Sequence, residues 1–445
     1  MAYEVDGSWS RYGPLILAGS PLRVFRTTAA GTAVAEQLER GEPVTPSRLV
    51  DRLLDAGAIH PRPDATAHPP RFGADDVTVV TPRFRTVVGG SILDDRSVDD
   101  RIADGRVIVD DASEPPIAGA TVRLERNRGP AAARNAARRS ITTPLVAFLD
   151  DDVTVPDDRW FAGLLWHFDD PAVGLVAPRV TGEQDSPLDL GARAARIRAG
   201  TRVSYVPGAA LVVRIEALDA VGWFDEGLRF GEDVDLVWRM DDAGWRCRFD
   251  PTVSVFHAPR STWRARWRQH AGYGTSAAPL ALRHPGALSP VRSNGWTAAT
   301  WAGWLGGHVV VGTSIAVGSA AALERKVPGL PRVVSFRLAM RGHLMAGREL
   351  ASAVRRVWWP LVAIGALVSR RCRWIAIASI LADVRSTPTD VAYGWGVWRG
   401  MVRHRTAAPI IPRFSAWPGR RPTPGQARRP AGRGVTRPGP DGDVR

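Results

Sequence analysis

Three successive aspartates, Asp150, Asp151 and Asp152, close the apolar run Leu145, Val146, Ala147, Phe148 and Leu149. Adjacent carboxylates at the mouth of a low-dielectric sheet repel one another, and a bound cation relieves that repulsion. Alternate residues of an extended segment share a side, so Asp150 and Asp152 project together. That geometry lets one meet a ribose or a metal while the other ligates a Mg²⁺ or Mn²⁺ bridging a diphosphate. A solvated acidic turn fits the same three residues. Further along, Gly231, Glu232, Asp233, Val234 and Asp235 open a predicted helix whose apolar face is Leu236, Val237 and Met240. A carboxylate at a helix start is held by the dipole and the free amides, and can act as general base toward an acceptor hydroxyl. N-capping alone also accounts for Asp233.

Three weaker signals accompany these. Asp110 and Asp111 follow the β-run that starts at Arg106, where a carboxylate can accept hydrogen bonds from a uracil N3 or a ribose hydroxyl. The pair, with Ser113 behind it, also fits a helix N-cap. Gly129 and Pro130 then lead into an Ala-rich helix carrying Arg134 and Asn135 one turn in. An arginine there can reach a diphosphate, and a well-packed crossover helix is the other reading. Tyr205 to Leu211 form a small-residue turn able to admit an acceptor, and His257 ends a strand as either a structural histidine or a metal ligand.

The elements that must position these groups are short β-branched strands alternating with helices. Strands are predicted at 77–81, 106–109, 121–124 and 145–149, with a helix at 131–139, implying an open, mainly parallel α/β sheet with its site at the strand C-termini. Four regions follow: a unit at 1–66, a catalytic domain at 75–285, a helical region at 290–405 and a disordered basic tail at 417–445. The first is winged-helix-like, with an extended stretch over 14–25, a helix over 28–40 and a second helix capped by Thr45, with Pro46 as its first residue. A packing appendage and a peptide- or nucleic-acid-binding unit fit it, nucleic acid being the weaker option because basic residues are not in excess there. Residues 301–323 lack any charged side chain and are long enough to cross a bilayer. Residues 357–369 and 374–382, interrupted by Arg370, Arg371 and Arg373, suggest an interfacial hairpin, and buried helices fit as well.

Charge divides the 445 residues sharply. From Arg260 onward there are 29 Lys+Arg against 6 Asp+Glu, net +23, leaving 30 against 39, net −9, before it. Two cysteines build no disulfide framework, and the N-terminus has no basic-then-apolar leader pattern, so a cytoplasmic location at the inner face of the membrane is expected.

Taken in order, Asp110-Asp111-Ala112-Ser113, Gly129 to Asn135, Phe148 to Asp152 and Gly231 to Asp235 resemble the family 2 glycosyltransferases. The resemblance implies a nucleotide-diphospho-sugar transferase core of the GT-A type, Rossmann-like. It implies a nucleotide-sugar donor bound by Asp110, Asp111, Arg134, Asn135, Asp150 and Asp151. A Mn²⁺ or Mg²⁺ would sit on Asp152, Asp150 and His257, and Asp233, beside Glu232, would be the catalytic base of an inverting displacement. Ser20 to Arg26, Tyr273 to Pro279, Gly342 to Arg348 and Tyr393 to Arg399 are similar to the subgroup that glycosylates mycofactocin, a redox cofactor made from a ribosomal peptide. That subgroup implies glucose from UDP-glucose built into a short β-linked oligosaccharide. A membrane-associated rhamnosyl or galactofuranosyl transferase of the cell envelope is the alternative. One departure from the family pattern is Thr81-Pro82-Arg83-Phe84-Arg85-Thr86, followed by an acidic stretch at 94–100, where a Val-Pro-x-x-Asp-Arg pattern is expected.

Overall fold

The computed structural model describes residues 2–63, 70–85, 87–88, 91–92, 106–182, 188–258 and 262–414. Thr86, the acidic stretch at 94–100 and the tail at 417–445 lie outside them.

The N-terminal unit contains β1 (Ala2–Val5), β2 (Ser10–Tyr12), β3 (Leu15–Ala18), β4 (Arg23–Arg26), α1 (Ala29–Glu39), α2 (Arg48–Asp55) and β5 (Ile59–Arg62). The stretch expected to be one extended run is a hairpin, β3 pairing antiparallel with β4. Thr28 caps α1 through the Gly31 amide. The cap of α2 is Ser47 rather than Thr45, because the Ser47 hydroxyl accepts the Val50 amide and Pro46 falls outside the helix. Val50, Leu53 and Leu54 still turn inward, onto Ile16, Phe25, Leu38 and Ile59.

The central layer comprises β6 (Val77–Arg83), a two-residue pair β7 (Val87–Val88) and β8 (Ser91–Ile92), β9 (Arg106–Asp110), β10 (Val122–Arg123), α3 (Pro130–Ala136), β11 (Leu145–Leu149), β12 (Val153–Thr154), β13 (Val173–Thr181), β14 (Ala195–Arg196), β15 (Ala210–Arg214), α4 (Ile215–Val221), α5 (Glu232–Asp242) and β16 (Arg246–His257). The sheet has nine strands, in the order β10-β9-β6-β11-β15-β13-β16-β12, with β14 paired to β16. Its first four strands are mutually parallel, but β15 runs antiparallel between β11 and β13, so the sheet is mixed rather than mainly parallel. The reason is local: β15 starts at the site end of the sheet, where the Asp150 amide bonds the Ala209 carbonyl, and must run back down. Alternation along β11 sends Val146 and Phe148 to one core and Leu145, Ala147 and Leu149 to the other, so both faces are covered. The α3 helix gives way to a 3-10 turn, Ala137–Ser140, shorter than the predicted helix.

The remaining elements are α6 (Trp263–Thr275), α7 (Ala277–Arg283), β17 (Arg292–Ser293), α8 (Gly295–Leu305), α9 (Val309–Lys326), α10 (Arg332–Ala353), a π-turn (Val354–Trp358), α11 (Trp359–Val368), α12 (Arg370–Ala382), α13 (Thr387–His404) and β18 (Arg413–Phe414). The uncharged stretch at 301–323 is not one span, because Gly306, Gly307 (φ 85°) and His308 break it into α8 and α9. Instead α10, the π-turn and α11 form one continuous 37-residue helix, Arg332–Val368, with the length and composition to cross a bilayer. The α11–α12 pair leaves Leu367 80% and Val368 89% exposed.

Candidate active site

At the hub of the site is Arg134, brought in by α3 and only 1% exposed. Expected near a diphosphate, its guanidinium is enclosed by acids from two other elements. It donates to Asp150 Oδ1 (2.6 Å) at the end of β11, to Glu232 Oε1 (3.0 Å) at the start of α5, and to the Gly208 carbonyl (3.1 Å). The Phe224 ring lies under it at 5.2 Å. Asn135 fixes that ring by pairing with the Phe224 backbone on both sides, donating to its carbonyl (2.9 Å) and accepting from its amide (3.1 Å). A cation so enclosed is retained because its acids hold its pKa well above the usual arginine range.

Asp233 lies beside this hub. Its Oδ2 accepts the Gly208 amide (2.8 Å) and its Oδ1 the Val234 amide (2.8 Å). A Cβ on Gly208 would come within 3.1 Å of Arg134 and 3.3 Å of Asp233, so the turn passes between them only because it is glycine. Burial pushes Glu232 up to about 7, with the Asp233 charge adding to the rise and Arg134 opposing it. Burial likewise raises Asp233, against the two amides and Arg134, and raises Asp150 against Arg134. The arrangement is an acid pair poised to take up or release a proton, in the field of one fixed cation.

Asp152 stands on the other side of Asp150. Antiparallel pairing of β12 with β16 sets Val153 opposite His257, and this register brings His257 Nε2 to 3.2 Å from Asp152. Among the described residues no group of three His, Cys, Asp or Glu side chains is gathered around one point. One carboxylate and one imidazole are nevertheless ligand types that would suit a divalent cation. Asp151 is half-buried in the intervening turn.

Asp110 and Asp111 open no helix. Asp110 is fully buried, accepts the amides of Ser113 (2.7 Å) and Ile117 (3.2 Å), and pairs with Arg123. Asp111 accepts the amides of Arg128 (2.8 Å) and Gly129 (2.8 Å), tying β9 to the start of α3. The structure thus brings Arg134, Asp150, Glu232 and Asp233 into one cluster and Asp152 with His257 into an adjoining pair. Asp110 and Asp111 form the wall behind Gly129. Phe224 and Arg123 were missed in the sequence, and Gly208 was read only as part of a turn. The only signal was for Gly208, in its small-residue turn.

The Glycosyl transferase family 2 profile matches residues 92–206, which include Asp110, Asp111, Arg134, Asn135 and the aspartate triplet. Over 456 aligned residues, 90% of this chain and 95% of the other, the chain is 35% identical to the Pre-mycofactocin glycosyltransferase of Mycobacterium tuberculosis, in strains CDC 1551 and H37Rv alike. The chain belongs to this mycofactocin branch of glycosyltransferase family 2. The enzyme is also 29% identical over 159 residues to the Succinoglycan biosynthesis protein ExoA of Rhizobium meliloti, covering 33% of this chain and 48% of that one. Among solved structures it is similar to the mannosyltransferase PcManGT of Pyrobaculum calidifontis in complex with GDP-Man and Mn²⁺. The TM-score is 0.43 and the identity 18%, over 77% of this chain and 89% of that one. The core of this glycosyltransferase has the GT-A-like fold, and it acts in mycofactocin biosynthesis.

Proposed function

We propose that the enzyme transfers glucose from UDP-glucose to the peptide-derived mycofactocin precursor by inverting displacement, building a short β-linked oligosaccharide. The observation that carries this is the Asp233 carboxylate, partly buried, fixed by two amides and adjacent to the Arg134 hub, with Asp152 and His257 next to the same strand end. Asp233 takes the proton of the acceptor hydroxyl as its oxygen attacks the anomeric carbon. Glu232 and Arg134 keep it in place and tune its charge. Asp110 and Asp111 act on the nucleotide side by holding the loop that leads to Gly129, and Asn135 and Asp151 border the same space. Asp152 and His257, with Asp150 behind them, would hold a Mn²⁺ or Mg²⁺, which supplies charge neutralisation at the leaving diphosphate. The exposed apolar faces of α11 and α12, together with the basic C-terminal half, support work at the inner face of a membrane.

The donor is tested by incubating purified enzyme with a panel of nucleotide sugars, with and without a chelator, and measuring donor turnover. UDP-glucose should be preferred, and chelation or Asp152→Asn should abolish turnover. Turnover indifferent to both would refute the cation's role.

A further inference from the structure

Two successive residues after α4 take the left-handed backbone conformation, Gly222 (φ 81°) and Trp223 (φ 66°). Glycine does so freely, but a bulky side chain at such a φ is an outlier that persists only where its surroundings over-determine it. The chief constraint here is one guanidinium. Arg239 of α5 donates to the carbonyls on either side of Gly222, that of Val221 (2.5 Å) and that of Trp223 itself (2.8 Å). The buried indole adds one bond of its own, from Nε1 to Asp219 (2.8 Å).

Arg239 is in turn fixed by Asp235, one turn earlier in α5, whose Oδ2 accepts from its Nε (2.6 Å). Asp235 is fully buried and takes no part in the transfer chemistry. Its Oδ1 accepts from His284 (3.0 Å), just past α7, and Arg283 pairs with both Asp235 (3.5 Å) and Asp225 (2.5 Å).

What this turn carries is the floor of the site. Phe224 follows Trp223 directly, and its ring lies under Arg134 at 5.2 Å and edge-on to Phe148 at 5.2 Å. Its backbone is paired on both sides with Asn135 of α3. The helix that begins with Glu232 and Asp233 therefore reaches back, through Asp235 and Arg239, to the segment on which Arg134 rests. Arg134 comes from α3 and its acids from β11 and α5, so a shift of this segment changes where the cation lies between them.

We infer that Arg239, oriented by Asp235, is a positioning residue of the transfer reaction: it holds the Trp223 turn in its left-handed form so that Phe224 keeps Arg134 seated between Asp150 and Glu232, beside Asp233. This rests on the proposed role of Asp233 as the transfer base. A staple that served stability alone would lower Tm and leave the rate per folded molecule unchanged, whereas a misplaced cation at the reacting centre lowers kcat. The nucleotide is handled on the β9 side, at Asp110 and Asp111, so the KM for the donor should not follow.

The test measures glucosyl transfer from UDP-glucose to the mycofactocin precursor by the full-length enzyme, with the folded fraction determined for each variant. Arg239→Ala should lower kcat about tenfold or more with the KM for UDP-glucose within about twofold, and added guanidinium ion should restore much of kcat where the same concentration of sodium ion does not. Arg239→Lys keeps the charge beside Asp235 but cannot bridge two carbonyls, so it should stay folded and yet lose kcat, which keeps the test decisive where the alanine variant does not fold. Wild-type kcat in Arg239→Lys, a loss confined to KM, or no recovery with guanidinium beyond that with sodium would overturn the positioning role; with Asp233→Asn inactive alongside, the transfer reading stands. Transfer by Asp233→Asn near the wild-type rate would overturn the transfer reading and this inference with it.

Discussion

Removing the Arg134 guanidinium leaves Asp150, Glu232 and Asp233 facing one another without their shared cation. Arg134→Gln should therefore cost about 3–5 kcal/mol of stability, the range for breaking one side of a buried ion pair, read by chemical denaturation. Its catalytic consequence has a definite sign. Burial already raises Asp233 and Arg134 opposes that rise, so losing the cation raises Asp233 further. Only the ionised carboxylate accepts a proton, so the acid limb of the kcat profile should move to higher pH in the variant. An unmoved limb would mean that another group titrates. At this scale the sequence was legible where charge demanded explanation. Asp150, Asp152 and Asp233 stood out because unpaired acids at strand and helix ends need partners. The partners of Arg134 were not legible, since an arginine one turn into a helix does not say which carboxylates a sheet will bring to it. Gly208 and Phe224 act through a backbone amide, a carbonyl and a ring face, which residue type alone does not encode.

Pairings between elements decide which of those residues meet. Asp152 reaches His257 because β12 and β16 pair in one register, and a slip of one residue would turn His257 to the other face. The strands β6, β9 and β11 could be read from their β-branched runs, but the reversed direction of β15 could not, because a fully buried apolar run carries no sign of its direction. The uncharged stretch at 301–323 misled for a related reason: composition signalled a span while Gly306 and Gly307 broke it. Glycine also governs the seam between α6 and α13, where a Cβ on Gly396 would collide with the Ala271 carbonyl. Gly396→Ala should force the helices apart and lower Tm by several degrees; an unchanged Tm would show that the seam has room for a side chain.

Across the whole molecule, the N-terminal unit is tied to both other regions. Arg196 donates to Asp55 (2.8 Å), Arg246 to Asp51 (3.1 Å) and Asp55 (3.3 Å), and Leu15 and Leu17 pack on Leu330 beyond α9. This unit was visible in the sequence as a helical pair with strands, but its docking was not, because the arginines that hold it lie far away in the chain. The fold as a whole should be acid-sensitive through the buried pair of His167 and Asp250, 2.7 Å apart. Burial lowers His167 below its ordinary 6.5, so its contribution is complete above that value and is lost as pH falls. Burial works to raise Asp250, but its hydrogen bonds from His167 and Thr252 outweigh it and hold it below its ordinary 3.8, and its contribution is lost only in stronger acid. Tm should drop between pH 7 and pH 5, and His167→Gln should flatten that drop; an equally steep drop in the variant would place the sensitivity elsewhere. The central claim, that Asp233 is the base of a glycosyl transfer, is tested most directly by the rate of glucosyl transfer to the mycofactocin precursor in Asp233→Asn enzyme of confirmed fold. The account predicts a loss of about a hundredfold or more with donor binding preserved, and transfer near the wild-type rate would contradict it.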